Sequence, residues 1–233
     1  MGFGNLSERY RIFQFDAAYK GYYRAFIETF AELAKKKTLK RMGIVHPDLS
    51  VNLTDTIARS QHKDAHENQP SSFYTLNKGF SKLNIPYKDI QLLDIGSGTG
   101  RVLTFGMLLK VKHVTGIDLD EEGIRQAISN CSIMQQRGYK SGFDVFSADA
   151  CTFEIPVGVN VIYLFNPFGE KTMNEVIGNI VRHVDKTGKP VFVIYANPTL
   201  RHLFDNYPQA TKIFESFFKN KKPDMAIFRI ERR

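Results

Sequence analysis

A strand-to-helix turn built on three glycines constrains this chain most. The apolar pair Leu92-Leu93 leads through Asp94-Ile95 into Gly96-Ser97-Gly98-Thr99-Gly100, and a helix-forming segment opens at Arg101. Glycine at alternate positions lets the backbone take positive φ and lie against a ligand, where a Cβ would clash. The pattern is that of a buried parallel strand turning tightly into a helix.

The chain beyond it repeats the same alternation. Strands are predicted at 90–95, 113–117, 143–147, 159–165 and 190–195, with helices at 101–110, 121–137, 171–184 and 199–207 between them. The last segment alternates over 212–218 and 225–231 around Lys219-Asn220-Lys221-Lys222-Pro223, which predicts an antiparallel hairpin. The expected fold is α/β: a doubly wound, mostly parallel, seven-stranded Rossmann-like sheet. It carries an antiparallel C-terminal hairpin and a helical N-terminal cap. Residues 1–85 read as that cap, a substrate-covering extension, and 86–233 as the ligand-binding domain.

Residues 7–37 read as one or two amphipathic helices rich in aromatic residues, and helical spacing puts Tyr19, Tyr23, Phe26 and Phe30 on one face. Such a stripe reads as core or as a contact between copies rather than as a substrate platform, so a homodimer is a candidate. Lys35-Lys36-Lys37 with Lys40-Arg41 suits the negative end of a helix dipole. Gly43, Pro47 and the polar run from Ser60 to Pro70 mark a linker. Ser71-Ser72 then cap a short helix at about 73–83.

Length and charge bound the class. A chain of 233 residues builds one large α/β domain with an added element. The net charge is +8, and residues 1–90 hold 14 Lys/Arg against 9 Asp/Glu. That balance suits anionic partners, nucleic acid among them, or simply a soluble surface. No apolar run is long enough to span a membrane, and the start lacks a secretory pattern, so a cytoplasmic location is expected. Cys131 and Cys151 form no CxxC pair, which argues against a zinc site and for reduced thiols; no metal is expected.

Chemistry-bearing residues fall at successive strand ends. Asp94 ends the first strand, Asp118 the second, Asp149 follows the third, and Asn166-Pro167-Phe168-Gly169 follows the fourth. Open α/β sheets bind ligands along that edge. Asp118 is placed to accept hydrogen bonds from two ribose hydroxyls, and Asp149 to reach an adenine amino group. A dinucleotide site wants G-x-G-x-x-G and a helix N-terminus for pyrophosphate. Here the glycines alternate and an acid precedes them. A carboxylate at Asp94 sits poorly beside pyrophosphate and suits an ammonium group.

On these residues, 90–198 resemble the class I S-adenosylmethionine-dependent methyltransferase family. The whole chain is similar to a subgroup of small bacterial methyltransferases. They pair a glycine loop ending in Gly-Arg, here Gly100-Arg101, with the strand Tyr163-Leu164-Phe165-Asn166-Pro167-Phe168. Thr99 stands where that subgroup often has Lys. The resemblance implies S-adenosyl-L-methionine as cofactor and S-adenosyl-L-homocysteine as product. It implies that Asp94, Gly96, Ser97, Gly98, Gly100, Asp118, Leu119, Asp149, Ala150 and Asn166 line the cofactor. Asn166, Pro167 and Phe168 would then stand at the reacting methyl.

Tyr74 and Ser72 are candidates to cover the cofactor's carboxylate, or else helix-cap and core residues. Phe168 and Tyr163 are candidates to face the sulfonium. His62 and His66 are candidate general bases or exposed loop residues. Asn-Pro-Phe resembles the Asn-Pro-Pro-Tyr of amino-methyltransferases but has Phe168 in place of its second Pro and then Gly169, so the stacking ring is absent or shifted. It is also similar to the Asn-containing motif of a histone-lysine methyltransferase family. The expected activity is methyl transfer to O or N of a small-molecule or saccharide-type acceptor. A macromolecular acceptor (RNA, DNA or a protein side chain) and a non-catalytic binding subunit are the alternatives. A small acceptor needs the N-terminal helices closed over the site; a macromolecule needs an open basic face.

Overall fold

The computed structural model describes residues 13–14, 17–46, 70–166 and 168–233. Seven strands form one sheet: β1 (Gln91–Ile95), β2 (His113–Asp118), β3 (Gly142–Ser147), β4 (Val161–Phe165), β5 (Val191–Ala196), β6 (Ala210–Phe217) and β7 (Pro223–Ile230). Their spatial order is β3-β2-β1-β4-β5-β7-β6. β1 pairs in parallel with both β2 and β4, while β7 runs antiparallel between β5 and β6. The seven-stranded, mostly parallel sheet with its C-terminal hairpin is therefore as predicted. Strand order reverses at β1, which opens a crevice beyond the carboxyl ends of β1 and β4.

Alternation along each strand sends neighbours to opposite faces. Leu92, Val114, Val161 and Ile194 pack under α2 (Phe73–Phe80), α3 (Arg101–Leu108) and α4 (Glu121–Gln136). Leu93, Ile162, Leu164 and Val193 pack under α5 (Glu170–Thr187), which buries Met173, Val176, Ile177, Ile180 and Val184. Gly188, at φ 67, ends α5 in the left-handed conformation.

The predicted helix at 199–207 is a 3-10 helix, Arg201–Asn206. Pro198 and Pro208 leave no room for more turns, so Leu203 N–H bonds Leu200 O at 3.1 Å and Leu203 and Phe204 are buried. Phe204 then stacks on Phe228 with centroids 4.0 Å apart.

The N-terminal helix α1 (Tyr22–Met42) runs five residues past the predicted end at 37 and stops at Gly43, φ 89. It is turned against its own pattern. The buried residues are Ala25, Glu28, Glu32 and Leu39, whereas Tyr22, Tyr23, Phe26, Phe30 and Leu33 are exposed. Of the expected stripe, Tyr19 packs on Phe218, centroids 5.0 Å apart, and the other three rings face outward. Ion pairs hold the inward face. Asp224, at the start of β7, accepts from Arg24 at 2.8 and 2.9 Å, from Lys78 at 2.6 Å and from Ser216 at 3.0 Å. Glu28 takes Lys20 at 2.9 Å and the Ser72 hydroxyl at 2.8 Å. Glu32 takes Arg101 at 2.5 Å. Because β7 starts where β5 ends, these anchors lay α1 along the carboxyl edge of the sheet, from β7 to the glycine turn.

Candidate functional site

The turn after β1 takes the conformation its glycines allow. Gly96, Gly98 and Gly100 have φ of 84, 47 and 76. The amides of Gly96 and Ser97 both donate to Ile117 O, at 2.9 and 3.0 Å. The Gly98 amide donates to Asp118 Oδ2 at 2.7 Å, which ties the loop to the end of β2. A Cβ on Gly100 would stand 2.9 Å from Ala127 Cβ, so close approach of α4 also requires glycine there. Gly123 brings the first turn of α4 against the Gly98 backbone.

Within this cradle two polar atoms are buried without a hydrogen-bond partner, Asp94 Oδ2 and Ser97 Oγ. Burial, and then the charge of Asp118, hold the Asp94 carboxyl well above the usual carboxylate range. Buried polar atoms are ordinarily satisfied, so orphans beside a strand switch point are groups whose partner a ligand could supply. A donor fits: an ammonium opposite Asp94 would return its carboxyl to the ionised form.

The other strand ends are placed as follows. Asp118 uses Oδ1 to accept from the Asp120 amide at 2.9 Å, and each carboxylate oxygen keeps a further lone pair. Leu119 beyond it is exposed. Asp149 is exposed and accepts from the Cys151 amide at 2.9 Å, while Ala150 is buried. Asn166, at φ 40, holds the end of β4 in the left-handed region, which asparagine tolerates. Its Oδ1 accepts from the Tyr195 hydroxyl at 3.1 Å and the Thr199 hydroxyl at 2.5 Å. Phe168 packs partly buried against the α5 side of the core. Pro167, His62 and His66 lie outside the described residues.

Ser72 is the helix cap: its hydroxyl accepts from the Thr75 amide at 3.1 Å. The Tyr74 ring lies under the Arg24 guanidinium, 4.4 Å away. Tyr163 is a core residue at 1% exposure whose hydroxyl donates to Ser71 Oγ at 2.8 Å. Among the described residues no cluster of His, Cys, Asp or Glu could hold a metal, and no helix is long and apolar enough to cross a membrane.

Three residues at this edge escape sequence reasoning. His46 bonds Thr99 Oγ1 at 3.2 Å and Thr104 Oγ1 at 2.9 Å; burial, then Arg101, lower its pKa to about 3, so the ring is neutral. Asn130 on α4 accepts from the Val45 amide at 3.1 Å and donates to Val45 O at 2.8 Å and Thr99 O at 3.0 Å. Arg101 stacks over Phe73 at 4.8 Å while it pairs with Glu32. Together they clasp the chain after α1 to the outside of the glycine turn. No spacing rule announces such contacts. The one available signal is the arginine directly after Gly100.

No protein-family model matches the chain, and no curated protein does. Solved structures do resemble it in fold. An Escherichia coli protein named as a methyltransferase, yhhF, is 16% identical with a TM-score of 0.53, over 70% of this chain and 89% of that one. PH0226 protein from Pyrococcus horikoshii OT3 is 16% identical, TM-score 0.51, over 79% and 94%. Precorrin-6y C5,15-methyltransferase from Geobacter metallireducens GS-15 is 12% identical, TM-score 0.51, over 78% and 100%. At these identities the likeness is one of fold.

Proposed function

We propose that this protein is an S-adenosylmethionine-dependent methyltransferase that methylates an oxygen or a nitrogen. The observation that carries the reading is the pair of orphaned buried atoms, Asp94 Oδ2 and Ser97 Oγ, inside a left-handed glycine turn at the strand switch point. They fit the methionine ammonium. A pyrophosphate, which brings only acceptors and negative charge, could take the Ser97 hydroxyl's proton but would leave the Asp94 carboxylate unmet. The Asp118 carboxylate is the ribose acceptor, and Asp149 with Ala150 flank the adenine. Gly96, Ser97, Gly98, Gly100, Leu119 and Asn166 complete the lining, with Tyr74 at its margin. The presence of methyltransferases among the fold neighbours supports the same class.

When bound, the cofactor supplies a methyl group already activated on a sulfonium. The chain's task is then to align a nucleophile and exclude water. Asn166, Pro167 and Phe168 are the residues proposed to stand at the acceptor. Both lone pairs of Asn166 Oδ1 are engaged by Tyr195 and Thr199, so the amide nitrogen, a donor, is the side chain's other edge. A donor orients an oxygen by one lone pair and leaves the other free to attack, whereas a ring nitrogen has only one. An exocyclic amine would need the oxygen that is already taken. This supports oxygen transfer over nitrogen transfer.

Residues 1–85 are proposed to form the acceptor-covering extension on the 86–233 catalytic domain. A small-molecule or saccharide-type acceptor is the reading from sequence. The second reading, a macromolecule, gains support from α1, whose acids both point inward and whose outer face keeps its cations.

Calorimetry with S-adenosylhomocysteine, beside NAD, tests the proposal. The wild type should bind the former alone. Asp94→Asn should weaken it by about 10–100-fold, the worth of a charge-assisted hydrogen bond. NAD binding, or indifference to Asp94→Asn, would sink the reading. Binding without methyl transfer to any acceptor fraction would favour a non-catalytic subunit.

A further inference from the structure

α1 inverts the usual order of an amphipathic helix. Its two acids, Glu28 and Glu32, are buried and paired, so no acidic side chain of the helix faces out. Along the outer face, steps of three or four residues join Tyr22, Phe26, Phe30, Leu33, Lys37 and Lys40 into one line. All six are exposed, Phe26 and Phe30 by 64% and 68%. The amino-terminal half of the line offers aromatic rings one helical turn apart. The carboxyl-terminal half offers cations, with Arg41 beside them.

A soluble helix leaves such a line uncovered only when something else covers it. A second copy fits poorly, because pairing the face with itself would bring Lys37 and Lys40 into an interface, where lysine is depleted. A bilayer surface fits poorly as well. Interfacial helices carry lysines on the face opposite the apolar one, whereas here rings and cations share a face and would have to enter at equal depth. A flexible polyanion with planar faces matches both halves: rings stack on bases and cations meet phosphates. The line also lies along the carboxyl edge of the sheet, where Arg24 meets Asp224 and Glu32 meets Arg101 beside the glycine turn.

We propose that the outer face of α1 binds single-stranded nucleic acid and so presents a nucleic-acid acceptor to this edge. The binding stands on α1 alone; its role in delivering the acceptor rests on the methyltransferase reading above. Fluorescence anisotropy with a labelled oligouridylate of about 16 nucleotides tests it on the full chain across a salt series. The wild type should bind, more weakly as salt rises. Lys37→Glu with Lys40→Glu should weaken binding about tenfold or more and flatten the slope of log affinity against log salt by roughly 0.7 per lost phosphate contact. Phe26→Ala with Phe30→Ala should weaken it by about fivefold or more per ring and leave that slope unchanged. Both pairs are exposed and should keep the wild-type melting temperature.

Equal binding by wild type and both variants, or no binding at low salt, would overturn the proposal. So would anionic phosphatidylserine vesicles bound in place of the oligonucleotide, or a wild-type dimer in sedimentation that the Phe variants split without any loss of oligonucleotide binding. Calorimetry with S-adenosylhomocysteine on the same samples separates the two claims. Cofactor product bound without oligonucleotide ends the docking proposal alone; oligonucleotide bound without cofactor product ends the methyltransferase reading alone.

Discussion

Helices α1 and α5, the first along the carboxyl edge of the sheet and the second on its face, are held by opposite means. α5 turns a continuous apolar face inward, Met173, Val176, Ile177, Ile180 and Val184, onto the strands. α1 turns charges inward and aromatic rings outward, and its grip comes from Arg24, Glu28 and Glu32. Apolar burial is non-directional and tolerates small shifts. A buried ion network holds only one geometry, because a displaced partner leaves a desolvated charge. The helix proposed to act on the acceptor is thus placed by the more exacting of the two attachments.

Mutations can break the contrast from either side. The largest loss should come from Ile180→Ala, fully buried under α5: about 4 kcal/mol by denaturant titration, with no dependence on pH between 3 and 7. Asp224→Ala should follow at about 3 kcal/mol, since it strands Arg24 and Lys78, both still partly exposed. This loss should depend on pH. Burial alone would raise the Asp224 carboxyl, but Arg24 and Lys78 outweigh it and hold it below its usual value, as Lys20 and Arg24 do for Glu28. A lowered folded pKa gives stability that is full above the unfolded pKa and lost as pH falls through the folded one. The gap between wild type and Asp224→Ala should therefore close below about pH 4.

Asp94→Asn should show the opposite sign at a smaller size, about 1–3 kcal/mol. The folded carboxyl is raised, so it contributes fully below the unfolded pKa and loses that contribution as pH rises through the folded one. Without ligand, the wild type should lose ground to the variant as pH climbs from about 4, and S-adenosylhomocysteine should abolish the trend by ionising Asp94. The smallest effect should be Phe26→Ser, within about 0.5 kcal/mol, because the ring is exposed. A loss as large as that of Ile180→Ala would show that α1 is held by its outer face after all.

The same two helices show what could be read from sequence. α5 was legible at 171–184 because the strands on either side frame it, although it runs on to Thr187 before the Gly188 stop. So were the positions of Asp94, Asp118 and Asp149, which fall at or just past strand ends fixed by the alternation. The stripe on α1 was legible as a stripe, yet not the side it would face, since periodicity finds a face and only tertiary partners choose its direction. Those partners, Lys78 and Asp224, lie far along the chain. His46 and Asn130 were illegible for the same reason, and Asn166 could be placed at the edge but not oriented without Tyr195 and Thr199.

The anchor of α1 has a consequence in time. Arg24 meets Asp224 across 200 residues, and Asp224 opens the last strand of the sheet. At about 5–20 residues per second a ribosome needs roughly 10–40 s to travel that distance. The helix is therefore made well before β7 and seated only once that strand is in place. A chain cut short before β7 loses Met225, Ile227 and Phe228 from the core and leaves Arg24 without its carboxylate and the helix unmoored. The proposed acceptor platform is thereby coupled to synthesis of β7, and a product truncated before that strand would lack it even where its glycine turn had formed.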